Sequence, residues 1–202
     1  QSAVSSNWGP MEKGIEGLPV HFAQINMRDG FFLAARAPFG TPFLWNSLEG
    51  RTLLADHGGQ PLAMLRYAAN TNGVDWSRIH VVDAGSPDQM VQAFRQGNGD
   101  FIHLQGPAPH QMALEGIASI VVSVGESMPP VAFSSLVATP EFLDSPHAIS
   151  FLNAYRKARV WVREADPGMI ADTEAAFFPG VPRDALRMAI ADYQKLGCWK
   201  GD

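Results

Sequence analysis

The sequence holds no recognisable set of catalytic or metal-binding residues. Its six histidines stand at positions 21, 57, 80, 103, 110 and 147, and no two of them have the His-x-x-x-His spacing of a zinc site. No Gly-x-Ser-x-Gly nucleophile turn, phosphate-binding Gly-Lys-Ser/Thr loop or dinucleotide-binding Gly-x-Gly-x-x-Gly motif follows a predicted strand. We therefore expect no catalytic centre and no bound metal or cofactor.

The first loop suited to binding a ligand is Asp56-His57-Gly58-Gly59-Gln60-Pro61, which links a short apolar strand to a predicted helix. Glycine lets backbone amides approach a ligand closely, and a helix N-terminus offers unpaired N–H groups with a partial positive charge. Gly58, Gly59 and Gln60 therefore suit a carboxylate, a sulfonate, a phosphate or a polar ring oxygen. A tight turn after a strand explains the same residues equally well.

A second loop, His103-Leu104-Gln105-Gly106-Pro107, also joins the end of a strand to the start of a helix. Its polar side chains, His103 and Gln105, fall on the same edge of the predicted sheet as the first loop. Two such loops at one edge favour a binding cleft over two unrelated turns. Aromatic residues near the chain crossings belong mostly to the core, but one or two of them, such as Phe133, could stack on a planar ligand.

Alternating strands and helices position these loops. Apolar runs predict strands at 19–25, 31–36, 52–55, 79–82, 101–105, 118–124 and 131–138. Three successive strand–helix units with nearly continuous apolar strands predict an α/β fold, with a parallel sheet covered on both faces. Right-handed crossovers place every strand-to-helix loop along one edge of such a sheet, where open α/β sheets bind ligands.

Proline-rich and glycine-rich stretches divide the chain into three segments. We expect residues 1–46 to form part of a first lobe with a first hinge crossing at 36–46, and residues 47–128 to form an α/β second lobe. Residues 129–202 are expected to return to the first lobe after a second crossing at 126–134 and to end in helices. Two lobes joined by two crossings make a clamshell.

Composition and charge exclude several classes of protein. The 202 residues carry 15 basic and 20 acidic side chains, a formal net charge of −5, whereas nucleic-acid binding needs clustered Lys and Arg. The longest apolar stretch, residues 117–124, is far shorter than the roughly 18 residues of a membrane span. Cys198 is the single cysteine, so no internal disulfide can form. Because the chain opens at Gln1, we expect an upstream part to have been removed.

Six stretches, taken in order along the chain, carry a family resemblance. They are Arg28-Asp29-Gly30-Phe31-Phe32-Leu33, Leu48-Glu49-Gly50-Arg51-Thr52, Gly58-Gly59-Gln60-Pro61, residues 89–94 with Gly97 and Asp100, residues 134–143, and the helix at 154–166. Their order and spacing resemble the solute-binding proteins of ABC importers. The resemblance is to the NMT1/THI5-like branch, which includes nitrate, sulfonate, taurine and thiamin-precursor binders.

The resemblance implies a type II periplasmic-binding-protein-like clamshell that captures a small polar or anionic solute and delivers it to a membrane permease, without catalysis. It also implies a periplasmic, or extracytoplasmic and membrane-anchored, location. Gly58, Gly59 and Gln60 would contact the solute from the second lobe, with Gln105 and its neighbour His103 facing them. Ser6 and Asn7 would contribute from the first lobe.

The chain also departs from the family. The strand–helix units that open the first lobe do not precede Gln1, so we expect that lobe to be incomplete. The alternative function is an enzyme on the same scaffold, either a desulfinase with a cysteine nucleophile or a thiamin-pyrimidine synthase. Cys198 lies far in sequence from the predicted cleft loops, and the synthase's cysteine-rich signature is absent. A ligand-sensing domain fused to another module is a third alternative, which no attached signalling segment supports.

Overall fold

The computed structural model describes residues 4–40, 42–55 and 59–201. Its strands are β1 (Val20–Asn26), β2 (Phe31–Arg36), β3 (Thr52–Leu54), β4 (His80–Val82), β5 (Phe101–Gln105), β6 (Ala118–Ser123) and β7 (Ser134–Ala138). Its α-helices are α1 (Trp8–Glu12), α2 (Gly59–Thr71), α3 (Pro87–Arg95), α4 (Ala108–Leu114), α5 (Pro140–Leu143), α6 (Pro146–Glu164), α7 (Pro167–Glu174) and α8 (Arg183–Leu196). The predicted strand at 131–138 begins only at Ser134.

The larger sheet has five strands in the order β4-β3-β5-β2-β6. β3 runs parallel to β4 and β5, whereas β2 lies between β5 and β6 and is antiparallel to both. The expectation of a purely parallel sheet is therefore wrong, because β2 makes the sheet mixed. Residues 32–35 of β2 are all buried. A central strand that is buried on both faces has the same continuous apolar pattern whether it runs parallel or antiparallel to its neighbours, so the sequence does not show its direction.

A second, smaller sheet pairs β1 with β7 in antiparallel register, with His21 opposite Val137. Two chain segments join the sheets, and we name residues 27–30 the first crossing and residues 124–133 the second crossing. The expected hinge at 36–46 is not a crossing, because β2 and β3 on either side of it belong to the same sheet. The division of the chain into separate lobes stays a prediction.

Helices cover both faces of the five-stranded sheet. α2 packs on one face with Leu33, Leu53 and Phe101. α3 and α4 pack on the other face with Ala34 and Ile102. Neighbouring residues of one strand point to opposite faces, so each buried strand serves both layers.

The last helix, α8, reaches back to the five-stranded sheet, where the ring centroids of Tyr193 and Phe32 are 5.8 Å apart. α7 and α8 pack on each other through Ile170, Leu186 and Ile190. α8 also lies against α4, where Asp192 Oδ2 is 3.0 Å from Nε2 of the buried His110. This contact holds α8 beside the edge of the sheet at which β5 ends.

Local sequence signals explain where several helices begin and end. The Ser86 hydroxyl accepts a hydrogen bond from the Gln89 N–H, and the Gln89 side chain accepts one from the Ser86 N–H, which forms a capping box for α3. The Asp166 carboxylate caps two free N–H groups at the start of α7. α8 ends at Gly197, whose φ of 76° lies in the left-handed region that glycine adopts without strain.

Candidate functional site

A cavity of about 180 Å³ lies where the two sheets meet. It is lined by Asn26 and Ser134 of the smaller sheet, by Gln105 of the larger sheet and by Gly30 of the first crossing. Tyr193 of α8 and Cys198 and Trp199 after it complete the lining. Gln105 is the last residue of β5, so the cavity stands at the strand-end edge at which the sequence predicts a cleft.

Hydrogen bonds fix most of the polar groups around this cavity. The Ser134 hydroxyl donates to Asn26 Oδ1, and the Asn26 amide donates to the Arg28 carbonyl oxygen at 3.0 Å. The Tyr193 hydroxyl donates to the Gly30 carbonyl oxygen at 2.9 Å and also accepts a hydrogen bond from a neighbouring backbone N–H. In the part of the chain that the structure describes, the Gln105 side-chain amide has no such partner and is exposed.

The start of α2 lies beside the second crossing. Gly59 is the first residue of the helix, and its φ of 74° suits glycine. The Gln60 side-chain amide donates to the Ala132 carbonyl oxygen at 3.5 Å, and Gln60 Oε1 is buried without a hydrogen-bond partner. Gly58, the other predicted glycine of this loop, lies outside the described residues.

His103 and Phe133 meet through the ring of Phe31. The Phe31 ring centroid lies 4.7 Å from that of His103, in a stacked arrangement, and 5.9 Å from that of Phe133. His103 is fully buried, and this burial lowers the pKa of its imidazole to about 3. Both ring nitrogens lack a hydrogen-bond partner. His103 is therefore neutral, and the three rings form an aromatic cluster that includes Phe133 of the second crossing.

The structure does not bring the two predicted first-lobe residues to the cavity. Ser6 is exposed in the short 3₁₀ helix Val4–Asn7. The Asn7 amide donates to the Pro19 carbonyl oxygen at 2.7 Å, which ties Asn7 to the loop before β1. Neither residue is among those that line the cavity.

Several cavity residues escaped the sequence-based prediction. Asn26, Ser134 and Trp199 belong to three distant parts of the chain and meet only through the strand pairing and the path after α8. Asn26 and the segment Arg28-Asp29-Gly30 were the signal available in the sequence, but these residue types also fit an ordinary turn.

An unusual carboxyl group lies in the first crossing. Asp29 is fully buried, with Oδ1 accepting a hydrogen bond from the Phe31 N–H at 2.7 Å and Oδ2 without a partner. The Arg28 guanidinium points instead to the second crossing, where it donates to the carbonyl oxygens of Gly125 at 3.2 Å and Met128 at 2.8 Å. Burial raises the pKa of Asp29 to about 7.

Cys198 lies at the cavity although it is far in sequence from the predicted cleft loops. It is 2% exposed, and burial raises the pKa of its thiol to about 12. At neutral pH the sulfur therefore stays protonated. A nucleophilic cysteine needs a thiolate, so Cys198 is poorly suited to catalysis.

Two further features concern membranes and metals. In the described ranges, none of the helices is long and apolar enough to cross a membrane. Within the same ranges, no group of three or more His, Cys, Asp or Glu side chains is placed to hold a metal ion.

The chain has a mixed sheet with helices on both faces, a second sheet and two crossings between the sheets. This arrangement is a periplasmic-binding-protein-like α/β fold. The alkanesulfonate-binding protein SsuA of Xanthomonas axonopodis pv. citri, bound to MOPS, superposes with a TM-score of 0.69 at 15% identity over 86% of this chain and 59% of its own. The nitrate-binding protein NrtA of Synechocystis PCC 6803 gives 0.65 at 16% identity over 90% of this chain and 51% of its own. At sequence identities this low, the structural similarity shows a shared fold and nothing more.

The sequence has a curated relative in Bacillus subtilis (strain 168), YtlA, which is named as a candidate binding protein. It is 28% identical over 194 residues, which are 94% of this chain and 58% of YtlA. The chain therefore spans less than two thirds of the length of each of these three proteins. No protein-family model matches it.

Proposed function

We propose that this chain is the solute-binding component of an ABC importer of the NMT1/THI5-like kind. It would capture a small polar or anionic solute between its two lobes. The observation that carries this proposal is the cavity at the junction of the two sheets, to which both sheets contribute polar side chains. The fold shared with sulfonate-binding and nitrate-binding proteins supports it.

The geometry gives a mechanism for capture. Asn26 and Ser134 approach the solute from the smaller sheet and Gln105 approaches it from the larger sheet. Because both sets of contacts form only when the sheets are close together, solute binding favours the closed arrangement. The two crossings are the segments that must bend. Gly59 and Gln60 at the start of α2 stand beside the second crossing and are proposed to close on the solute as well.

The proposed partners and location follow from this role. The solute-loaded protein would deliver its cargo to an ABC permease in the membrane, from the periplasm or from an extracytoplasmic, membrane-anchored position. The division into a first lobe (1–46 and 129–202) and a second lobe (47–128) is part of the proposal. The pairing of β2 in the larger sheet favours moving the first boundary to the first crossing.

The enzymatic alternative draws no support from the site. A desulfinase needs a cysteine thiolate, whereas burial raises the pKa of Cys198 to about 12. We therefore propose a binding role without catalysis.

A thermal-shift screen tests the function, with nitrate, ethanesulfonate, taurine and a thiamin-pyrimidine precursor as probes. A solute at about 100 times its dissociation constant stabilises the folded state by about 2.7 kcal/mol. For a chain of this size we expect that to raise Tm by about 5–10 °C. Gln105→Ala should abolish the shift, whereas the matched control Gln92→Ala, on the exposed surface of α3, should retain it. If no probe shifts Tm, or if Gln105→Ala keeps the full shift, the proposal is overturned.

A further inference from the structure

The residues after α8 return to the first crossing. Gly197 turns the chain in the left-handed conformation, and the Met27 N–H then donates a hydrogen bond to the Cys198 carbonyl oxygen at 2.9 Å. We name residues 197–201 the strap. The strap lies against the end of β1 and forms one wall of the cavity through Cys198 and Trp199.

A buried arginine of α6 holds the strap in place. Arg159 is 8% exposed, and its guanidinium donates to the carbonyl oxygens of Trp199 at 3.1 Å and Lys200 at 3.2 Å. The same guanidinium donates to the carbonyl oxygens of Gln24, at 2.9 Å, and Ile25 at the end of β1. One side chain therefore ties the strap to the smaller sheet by four hydrogen bonds.

The charge of Arg159 has no carboxylate counterpart in the described ranges of the chain. Backbone carbonyl dipoles compensate it, and hydrogen bonds from a charged donor are stronger than those from a neutral donor. The planar guanidinium can serve two segments at once, whereas the ammonium group of lysine is a compact point charge. Loss of this side chain would leave buried carbonyl groups unpaired and release the strap.

Trp199 is the aromatic residue of the strap at the cavity, and its side chain also packs against the α7–α8 cluster around Ile170. Its ring is half-buried and meets the ring of Tyr193 edge-on, with 5.7 Å between the ring centroids. Tyr193 is itself fixed through its hydroxyl at Gly30. Trp199 thus adds an aromatic residue to a cavity that Asn26 and Ser134 line with polar side chains.

We infer that Trp199 is a specificity-determining residue that contacts the apolar or planar part of the solute, and that Arg159 is the residue that positions it. The solute class this site selects combines a polar or anionic group, bound near Gln105, with an apolar or ring-shaped part, bound against the indole. The inference rests on the proposed function for the identity of the site. The path of the strap and its contacts with Arg159 do not depend on that function.

The first test needs no solute. Protein labelled with 5-fluorotryptophan gives one ¹⁹F resonance for each of its five tryptophans, and Trp199→Phe assigns that of Trp199. Arg159→Met should shift and broaden the Trp199 resonance. The control Arg156→Met, an exposed arginine one turn earlier on α6, should leave it unchanged. If Arg159→Met does not fold, Arg159→Lys takes its place, with a smaller shift expected. An unchanged Trp199 resonance in the folded variant would overturn the role of Arg159.

The second test asks whether the indole contacts the solute. The probe that raises Tm in the thermal-shift screen is titrated into the labelled protein, and it should move the Trp199 resonance in a saturable way. Trp199→Ala should weaken binding of that probe at least tenfold. A probe that raises Tm yet leaves the resonance in place would overturn the role of Trp199 while leaving the proposed function intact. If no probe raises Tm, the proposed function fails, and the first test still decides whether Arg159 positions the strap.

Discussion

Replacing Asp29 by asparagine removes an ionisable group from the first crossing while keeping its shape. The side-chain amide oxygen of the Asp29→Asn variant can still accept the hydrogen bond from the Phe31 N–H that Oδ1 accepts in the native protein. Oδ2 has no partner to lose, and the Arg28 guanidinium is engaged with the second crossing. The variant therefore isolates the cost of ionising a buried carboxyl group.

The structure sets the sign and the size of the effect. Burial raises the pKa of Asp29 from 3.8 to about 7 in the folded state. As the pH rises from 4 to 7, the unfolded chain loses this proton while the folded chain keeps it, so the free energy of unfolding falls across that window. A pKa difference of about three corresponds to at most about 4 kcal/mol, since one pKa unit is worth about 1.4 kcal/mol. Well above pH 7 the carboxyl group is ionised in both states, so the free energy of unfolding falls no further on its account.

Urea unfolding, followed by circular dichroism between pH 4.5 and pH 8.5, measures this difference. We expect Asp29→Asn to match the native protein near pH 4.5 and to exceed its stability by about 2–3 kcal/mol at pH 8.5, after about 1 kcal/mol is allowed for the buried amide N–H. The control Glu126→Gln removes an exposed carboxylate from the second crossing and should leave the pH dependence unchanged. Parallel stability–pH curves for native protein and Asp29→Asn would refute the reasoning.

Three further substitutions give predictions that urea unfolding can check. Tyr193→Phe removes a hydroxyl that makes two backbone hydrogen bonds, so it should cost about 1–3 kcal/mol, and no loss would contradict that role. Gly125→Ala should lower the free energy of unfolding by about 3 kcal/mol or more, because the added methyl group would collide with the Asp29 carbonyl oxygen. The control Gly9→Ala, with open space around it, should change that free energy by less than about 1 kcal/mol. Ser86→Ala removes the cap of α3 and should cost about 1 kcal/mol, whereas an unchanged midpoint would show that the capping box is not stabilising.

Local signals in the sequence predicted the helices and strands well, because those signals act over a few residues. The apolar run at 101–105 predicted β5 with the bounds that the structure has. The place of β2 in the larger sheet was beyond such signals. Its continuous apolar run shows that the strand is buried on both faces, but it does not specify which strands flank it or in which direction they run.

The same distinction applies to the candidate site. Gln105 was predictable because it ends a strand and precedes a helix, which places it at the edge where open α/β sheets bind ligands. Asn26 and Ser134 are 108 positions apart, and only the pairing of β1 with β7 brings them together. Tyr193 and Gly30 are 163 positions apart. No local pattern marks such residues as neighbours, so the cavity emerges only from the fold.

The most direct test of solute binding between the two sheets is a nuclear magnetic resonance titration of ¹⁵N-labelled protein with the probe that raises Tm. Solute binding in the cavity should give saturable shifts of the Gln105 side-chain amide in the larger sheet, of the Asn26 backbone amide in the smaller sheet and of the Gly30 backbone amide in the first crossing. Shifts confined to one sheet, or largest at residues away from the cavity, would contradict it.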